Sequence, residues 1–262
     1  VSAAGARGYA PRALAIPALI GLAFLILPLA ALVARVDWST FIADVTSEAA
    51  RSALLLSLGT GLVATLLCIA IGVPLALTIA RSGPRLAAVL RAAVTIPLVL
   101  PPMVGGIALL YLFGRAGWLG GLGLSFSTTA VILAQTFVAL PFLVLAVEGA
   151  VRTSGVEYER TAAALGAGRW TILRRITLPL AAPGIVAGVV LCFARAIGEF
   201  GATALFAGNR PGVTQTMPLA IYTAFNGAGV TQGAAVALAL LLLATAILVL
   251  LLVRGWRPGA AR

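Results

Sequence analysis

Lysine and histidine occur nowhere in the 262 residues. A phosphate-binding P-loop needs its lysine, and a Ser-His-Asp triad or a histidine-based zinc site needs its histidine, so this chain can build none of them. ATP hydrolysis is therefore expected on another chain, and no catalytic or metal-binding residue is assigned. Carboxylates are nearly as scarce. Asp37, Asp44, Glu48, Glu148, Glu157, Glu159 and Glu199 are the full set, too sparse to suggest an embedded enzyme. The two cysteines, Cys68 and Cys192, fall inside apolar runs, where a thiol is usually a small inert hydrophobe that says nothing of redox compartment.

Charge of either sign is thin. Only 10% of the residues are charged and 61% are hydrophobic, whereas a soluble domain carries about a quarter charged residues. This is the composition of a membrane protein. The formal charge of +11 raises nucleic-acid binding, but the arginines sit in short clusters between apolar runs rather than in one basic patch.

Six apolar runs stand out, at 13–34, 52–80, 92–114, 125–147, 181 to about 208, and 233–253, and the fifth alone is interrupted by charge. Each approaches or exceeds the roughly 20 residues a helix needs to cross the hydrocarbon layer. The spacing predicts an all-α membrane protein with six transmembrane helices. The first run is too long, and too poorly followed by a small-residue cleavage site, for a removed signal peptide, so it reads as a retained anchor. With the amino terminus inside, thirteen of the eighteen arginines fall on the inner side, which places both termini in the cytoplasm. Trp38, Trp118 and Trp256 fall just past run ends and Trp170 in the inner loop, none of them mid-run, as expected of indole rings that favour the headgroup layer.

Between the first two runs, Phe41, Val45 and Ala49 recur at helical spacing, with Asp44 and Glu48 on another face, and predict a surface helix over 38–51. The third run carries Pro97, Pro101, Pro102, Gly105 and Gly106. It reads either as a bend beside a pathway or as a kinked packing helix. Turn-forming residues over 207–218 end the fifth run, and the short apolar segment 219–225 reads as an external or partly re-entrant hairpin.

The passage 157–179 is the one long charged stretch. Tyr158, Thr161, Ala162 and Leu165 share one face of a first short helix, which Gly166 and Gly168 break. Trp170, Ile172, Leu173 and Ile176 form the apolar arc of a second, which Leu178-Pro179 is expected to stop. Two readings follow from pattern: a helix-turn-helix fitted to a groove on a soluble partner, or an ordinary inner loop with its arginines.

At this stretch the sequence resembles the permease subunits of binding-protein-dependent ABC importers. Their signature is Glu-Ala-Ala, three residues, Gly, nine residues, Ile, one residue, Leu-Pro. Gly166, Ile176, Leu178 and Pro179 match its spacing, while its head falls on Arg160, Thr161 and Ala162, with Glu159 one place upstream. The resemblance covers about 49–254. It implies a type I ABC importer permease fold with a cytoplasmic coupling-helix loop, in which either Glu159 or Arg160 makes the polar contact to the ATPase. The implied organisation is a tail, first helix and outer helix over 1–48, the importer transmembrane domain over 49–254, and a cytoplasmic tail over 255–262. The implied partners are a second copy of the chain, two cytoplasmic ATP-binding subunits that hold the ATP and magnesium, and an external substrate-binding protein. A second resemblance, over 195–203 and 207–222, is to the molybdate and sulfate branch, closest to molybdate permeases, so an oxyanion is the implied cargo: molybdate first, then tungstate or sulfate.

Arg195 and Glu199 are the charges inside the fifth run. Each costs on the order of 3 kcal/mol at mid-membrane on insertion scales, and their i,i+4 spacing lets them pair. They are read either as a packing salt bridge or as a lining of the anion route, with Arg195 attracting and Glu199 tempering. The alternative function is an ion-gradient-driven secondary anion transporter, which would need more titratable groups in the membrane than Glu199.

Overall fold

α1 (Ala15–Ala34) is apolar on every side, and none of its residues is buried by the rest of the chain. In the computed structural model, which describes residues 12–153, 156–227 and 232–255, every regular element is helical. The expected tails, with Arg7, Trp256, Arg257 and Arg262, lie outside the described residues.

The surface helix expected over 38–51 is divided. α2 (Phe41–Thr46) ends at Ser47, whose hydroxyl accepts the Ala50 N–H at 3.2 Å and so caps a new helix, α3 (Glu48–Arg81). The last turn of the expected surface helix is thus the first turn of a spanning one.

The third run also divides. α4 (Pro84–Val99) and α5 (Pro102–Phe113) meet at 109°. Pro101 and Pro102 lack N–H groups, and the residue before a proline is pushed to extended backbone. Leu100 and Pro101 accordingly have ψ of 138° and 134°. The expected single span is a sharply bent pair that begins at Pro84.

α6 (Thr128–Thr153) is followed by α7 (Glu157–Ala164), α8 (Arg169–Ile172), a π turn (Leu173–Thr177) and α9 (Leu178–Ile197). Then come α10 (Gly201–Phe206), α11 (Met217–Phe225) and α12 (Gln232–Gly255). By length and apolarity α1, α3, α6 and the rod Arg169–Ile197 can each cross a bilayer, and the bent pair makes a fifth crossing when its two helices count as one span. The sixth expected span corresponds to α12, whose described apolar stretch Gly233–Val249 is shorter.

Small residues bring α3, α6 and α9 together. A Cβ on Gly72 would meet Leu140 Cδ1 at 2.9 Å, and one on Gly188 would meet the Ala146 Cβ at 2.9 Å. Without side chains there, the helix backbones approach closely, the usual means of packing in lipid. Leu143, Val144 and Val147 of α6 fill the centre of this core. A second cluster joins Val131 and Val138 of α6 to Leu109 of α5 and Phe206 of α10. A third holds Met217 and Ala220 of α11 against Ala50 and Ala53 of α3 and Leu238 of α12. The segment expected as an external or re-entrant hairpin is therefore tied into the bundle, with the Met217 N–H donating to Ser57 Oγ at 2.7 Å.

Candidate coupling surface and intramembrane ion pair

The turn between α7 and α8 follows from Gly166. Its φ of +87° is the left-handed region that side chains disfavour. There the Gly166 N–H reaches the Ala163 carbonyl at 3.0 Å and the Ala167 N–H reaches the Ala162 carbonyl at 2.9 Å. These two bonds form a Schellman closure that satisfies the last carbonyls of α7. Gly168 is extended and leads into α8.

Leu178-Pro179 does not end the second helix. Arg169–Ile197 is one continuous helical rod. Proline removes an N–H and its ring crowds the carbonyl four residues earlier, here that of Arg175. The widened turn Leu173–Thr177 takes up the misfit without a stop.

Glu159 faces the chain, with 16% of its side chain exposed, and pairs with Arg81 at the end of α3. Its Oε1 also accepts the Thr177 hydroxyl at 2.7 Å. One carboxylate thereby joins α3, α7 and the start of α9. Ala162, Ile176 and Leu178 are half-buried beside it, while Arg160, Thr161, Gly166 and Pro179 are exposed. Leu165 is 84% and Trp170 63% exposed, and the Arg174 guanidinium lies 4.8 Å from the centre of the Trp170 ring. The loop presents bare apolar knobs among arginines, a surface suited to a partner.

A second carboxylate hub stands on α6. Arg91 of α4 approaches Glu148 with Nε 3.2 Å from each carboxylate oxygen, and Arg152 Nε lies 2.9 Å from Oε1. Arg81, Arg91, Arg152, Thr177 and Glu148 were not singled out by sequence reasoning. A signal existed: with only seven carboxylates in the chain, one placed just past an apolar run and near surplus arginines calls for a pair.

Arg195 and Glu199 lie where α9 ends. Arg195 Nη1 is 2.7 Å from Glu199 Oε2, with the two side chains 25% and 1% exposed. The other oxygen, Oε1, accepts the Ala202 N–H at 2.9 Å. Glu199 thus satisfies an N–H in the first turn of α10, and the fifth run, expected as unbroken to about 208, is interrupted over 198–200. α5 packs tightly on α10. A Cβ on Gly106 would meet the Ala202 Cα at 2.8 Å, and one on Gly201 would meet the Met103 N at 3.2 Å. The break at Gly198–Phe200 and the elbow at Leu100–Pro101 are therefore neighbours.

A bundle of apolar helices, two of its runs broken within the apolar zone, with a bare helix-turn-helix at one end, is the architecture of a membrane transport component. Residues 72–259 match the binding-protein-dependent transport system inner membrane component family, and the chain belongs to that family. It is 52% identical, over 95% of both chains, to the molybdenum transport system permease protein ModB of Mycobacterium tuberculosis. The ModB protein of Escherichia coli is 41% identical over 70% of this chain and 83% of its own. Among solved structures, the fold resembles a bacterial ABC transporter that imports alginate, at 18% identity and a TM-score of 0.70 over 93% of each chain. It also resembles the MetNI methionine ABC transporter in inward-facing form, at 21% identity and a TM-score of 0.65, covering 81% of this chain and all of that one.

Proposed function

We propose that the chain is the membrane-spanning permease subunit of an ATP-driven importer that carries an oxyanion, molybdate first and tungstate or sulfate next, across the cytoplasmic membrane. Two copies pair, rest on two cytoplasmic ATP-hydrolysing subunits that hold ATP and magnesium, and receive cargo from an external binding protein. Both termini are cytoplasmic. Residues 49–254 form the transport domain, with 1–48 and 255–262 as its flanks.

The observation that carries this reading is the 157–179 loop, an exposed helix-turn-helix braced by Glu159 and continuous through α8 and α9 with a spanning rod. Identity of 52% to a molybdenum transport permease supports the cargo. The mechanism is alternating access. Docking outside and nucleotide binding inside bias one conformational equilibrium, so each must favour the state the other favours. Glu199 stands at the break between α9 and α10, and Arg195, partly neutralised by it, offers its exposed quarter to the anion route. Partial neutralisation suits transport, since a fully charged guanidinium would hold an oxyanion too long for release.

The test is molybdate uptake by vesicles holding the chain, its ATP-binding subunit and the external binding protein. ATP-dependent uptake, inhibited more strongly by tungstate than by sulfate, is expected. Solute movement by the chain alone, driven by an ion gradient, would overturn the reading.

A further inference from the structure

We propose that the groove receiving the 157–179 loop is acidic where it meets Arg160, and that Glu159 makes no contact with it. This rests on reading the loop as the docking site for an ATP-hydrolysing subunit, and adds the chemistry of the surface that receives it.

Glu159 is already committed. Its carboxylate pairs with Arg81 and accepts from Thr177, 78 and 18 residues away in sequence, and is turned from the outer face of α7. Breaking those contacts to reach a partner would leave Arg81 unpaired and free the start of α9. Arg160 is one residue on, about 100° further round the helix, and is exposed. Among the described residues its guanidinium has no ion-pair partner. Most other exposed charges of the loop have the same sign. Arg169, Arg174 and Arg175 are exposed, and Glu157 is the single exposed carboxylate of the loop. With Leu165 and Trp170 as bare apolar knobs, the complementary surface is an apolar groove rimmed by Asp or Glu.

The experiment measures binding of the separately purified cognate ATP-binding subunit to the full chain in nanodiscs, across a salt series. Nanodiscs are made with zwitterionic lipid alone and with added anionic lipid. Arg160→Glu is expected to weaken binding roughly tenfold or more, and Arg160→Gln to weaken it less while lowering the salt dependence. Glu159→Gln, which loosens the brace and frees Arg81, should change the salt dependence less than Arg160→Gln does, because its charge is not at the contact. Exchange of one groove carboxylate for arginine should restore binding to Arg160→Glu. Folded yield and elution volume of each variant confirm that an exposed substitution has not unfolded the chain.

Binding by Arg160→Glu as tight as the parent's overturns the proposal, as does a larger change of salt dependence in Glu159→Gln than in Arg160→Gln. So does an effect seen only with anionic lipid, which would place Arg160 against headgroups. If the parent chain itself does not bind the ATP-binding subunit, the docking reading fails, and the acidic groove with it. Binding that ignores Arg160 sinks the acidic groove alone.

Discussion

The Thr177 hydroxyl donates to Glu159 Oε1 across 2.7 Å, joining the first helix of the exposed loop to the foot of a spanning helix. Arg81 holds the same carboxylate from α3. Three elements therefore meet at one side chain, and the loop cannot tilt without pulling on two of the helices that build the core.

Glu159→Gln should uncouple rather than unfold. Arg81 is about a third exposed, so the pair contributes only about 1 kcal/mol or less to stability. Amide hydrogen exchange over 157–177 should quicken, and transport per ATP hydrolysed should fall in the reconstituted complex. Unchanged exchange would remove the bracing role.

Gly166→Ala should cost roughly 1 kcal/mol through its backbone alone, since φ is +87° and the new methyl would meet open space. Gly166→Asn should cost less, because asparagine tolerates the left-handed region better. Thermal unfolding in detergent orders the three proteins, and a loss for Asn equal to that for Ala would contradict the left-handed turn.

Gly106 and Gly59 form a matched pair of helical positions. A methyl on Gly106 would lie 2.8 Å from the Ala202 Cα and 2.9 Å from its carbonyl oxygen, backbone that cannot rotate aside. One on Gly59 would meet nothing within 4 Å. Gly106→Ala should destabilise by about 1–3 kcal/mol, the usual range for overpacking. Gly59→Ala should be neutral or stabilising by roughly 0.5–1 kcal/mol. Equal melting temperatures would show that α5 and α10 separate easily.

Arg195→Gln leaves the Glu199 carboxylate buried with one N–H for company. Loss of one partner of a buried pair costs about 3–5 kcal/mol, and the partial exposure of Arg195 places this case at the lower end. Adding Glu199→Gln should recover much of the folded yield. Molybdate uptake by the double variant then decides the role: continued loss assigns Arg195 to the anion route, whereas recovery makes the pair a packing device.

The expected runs, the charged loop and the i,i+4 relation of Arg195 to Glu199 were readable because each depends on residues close together in the chain. Gly166 was readable too, since glycine just past a helical pattern signals a left-handed turn. The joints were not. Pro101-Pro102 announces a bend but not one of 109°, which α5 acquires by lying against Ala202. Leu178-Pro179 looks like a stop and is a continuation, because a π turn absorbs the proline. Glu199 and Ala202 are only three residues apart, yet hydropathy leaves this run whole and gives no sign that the carboxylate accepts the Ala202 N–H beside a break. Arg81 with Glu159 and Arg91 with Glu148 are separated by 78 and 57 residues, and only packing selects those partners among eighteen arginines.

The π turn at Leu173–Thr177 sets the register of the rod Arg169–Ile197. One residue more than an α turn is held there, so residues 178–197 stand about 100° round the axis from where an unbroken α-helix would set them. The side of the rod on which Arg195 stands to meet Glu199 is therefore set in part about twenty residues earlier, by how the chain accommodates a proline.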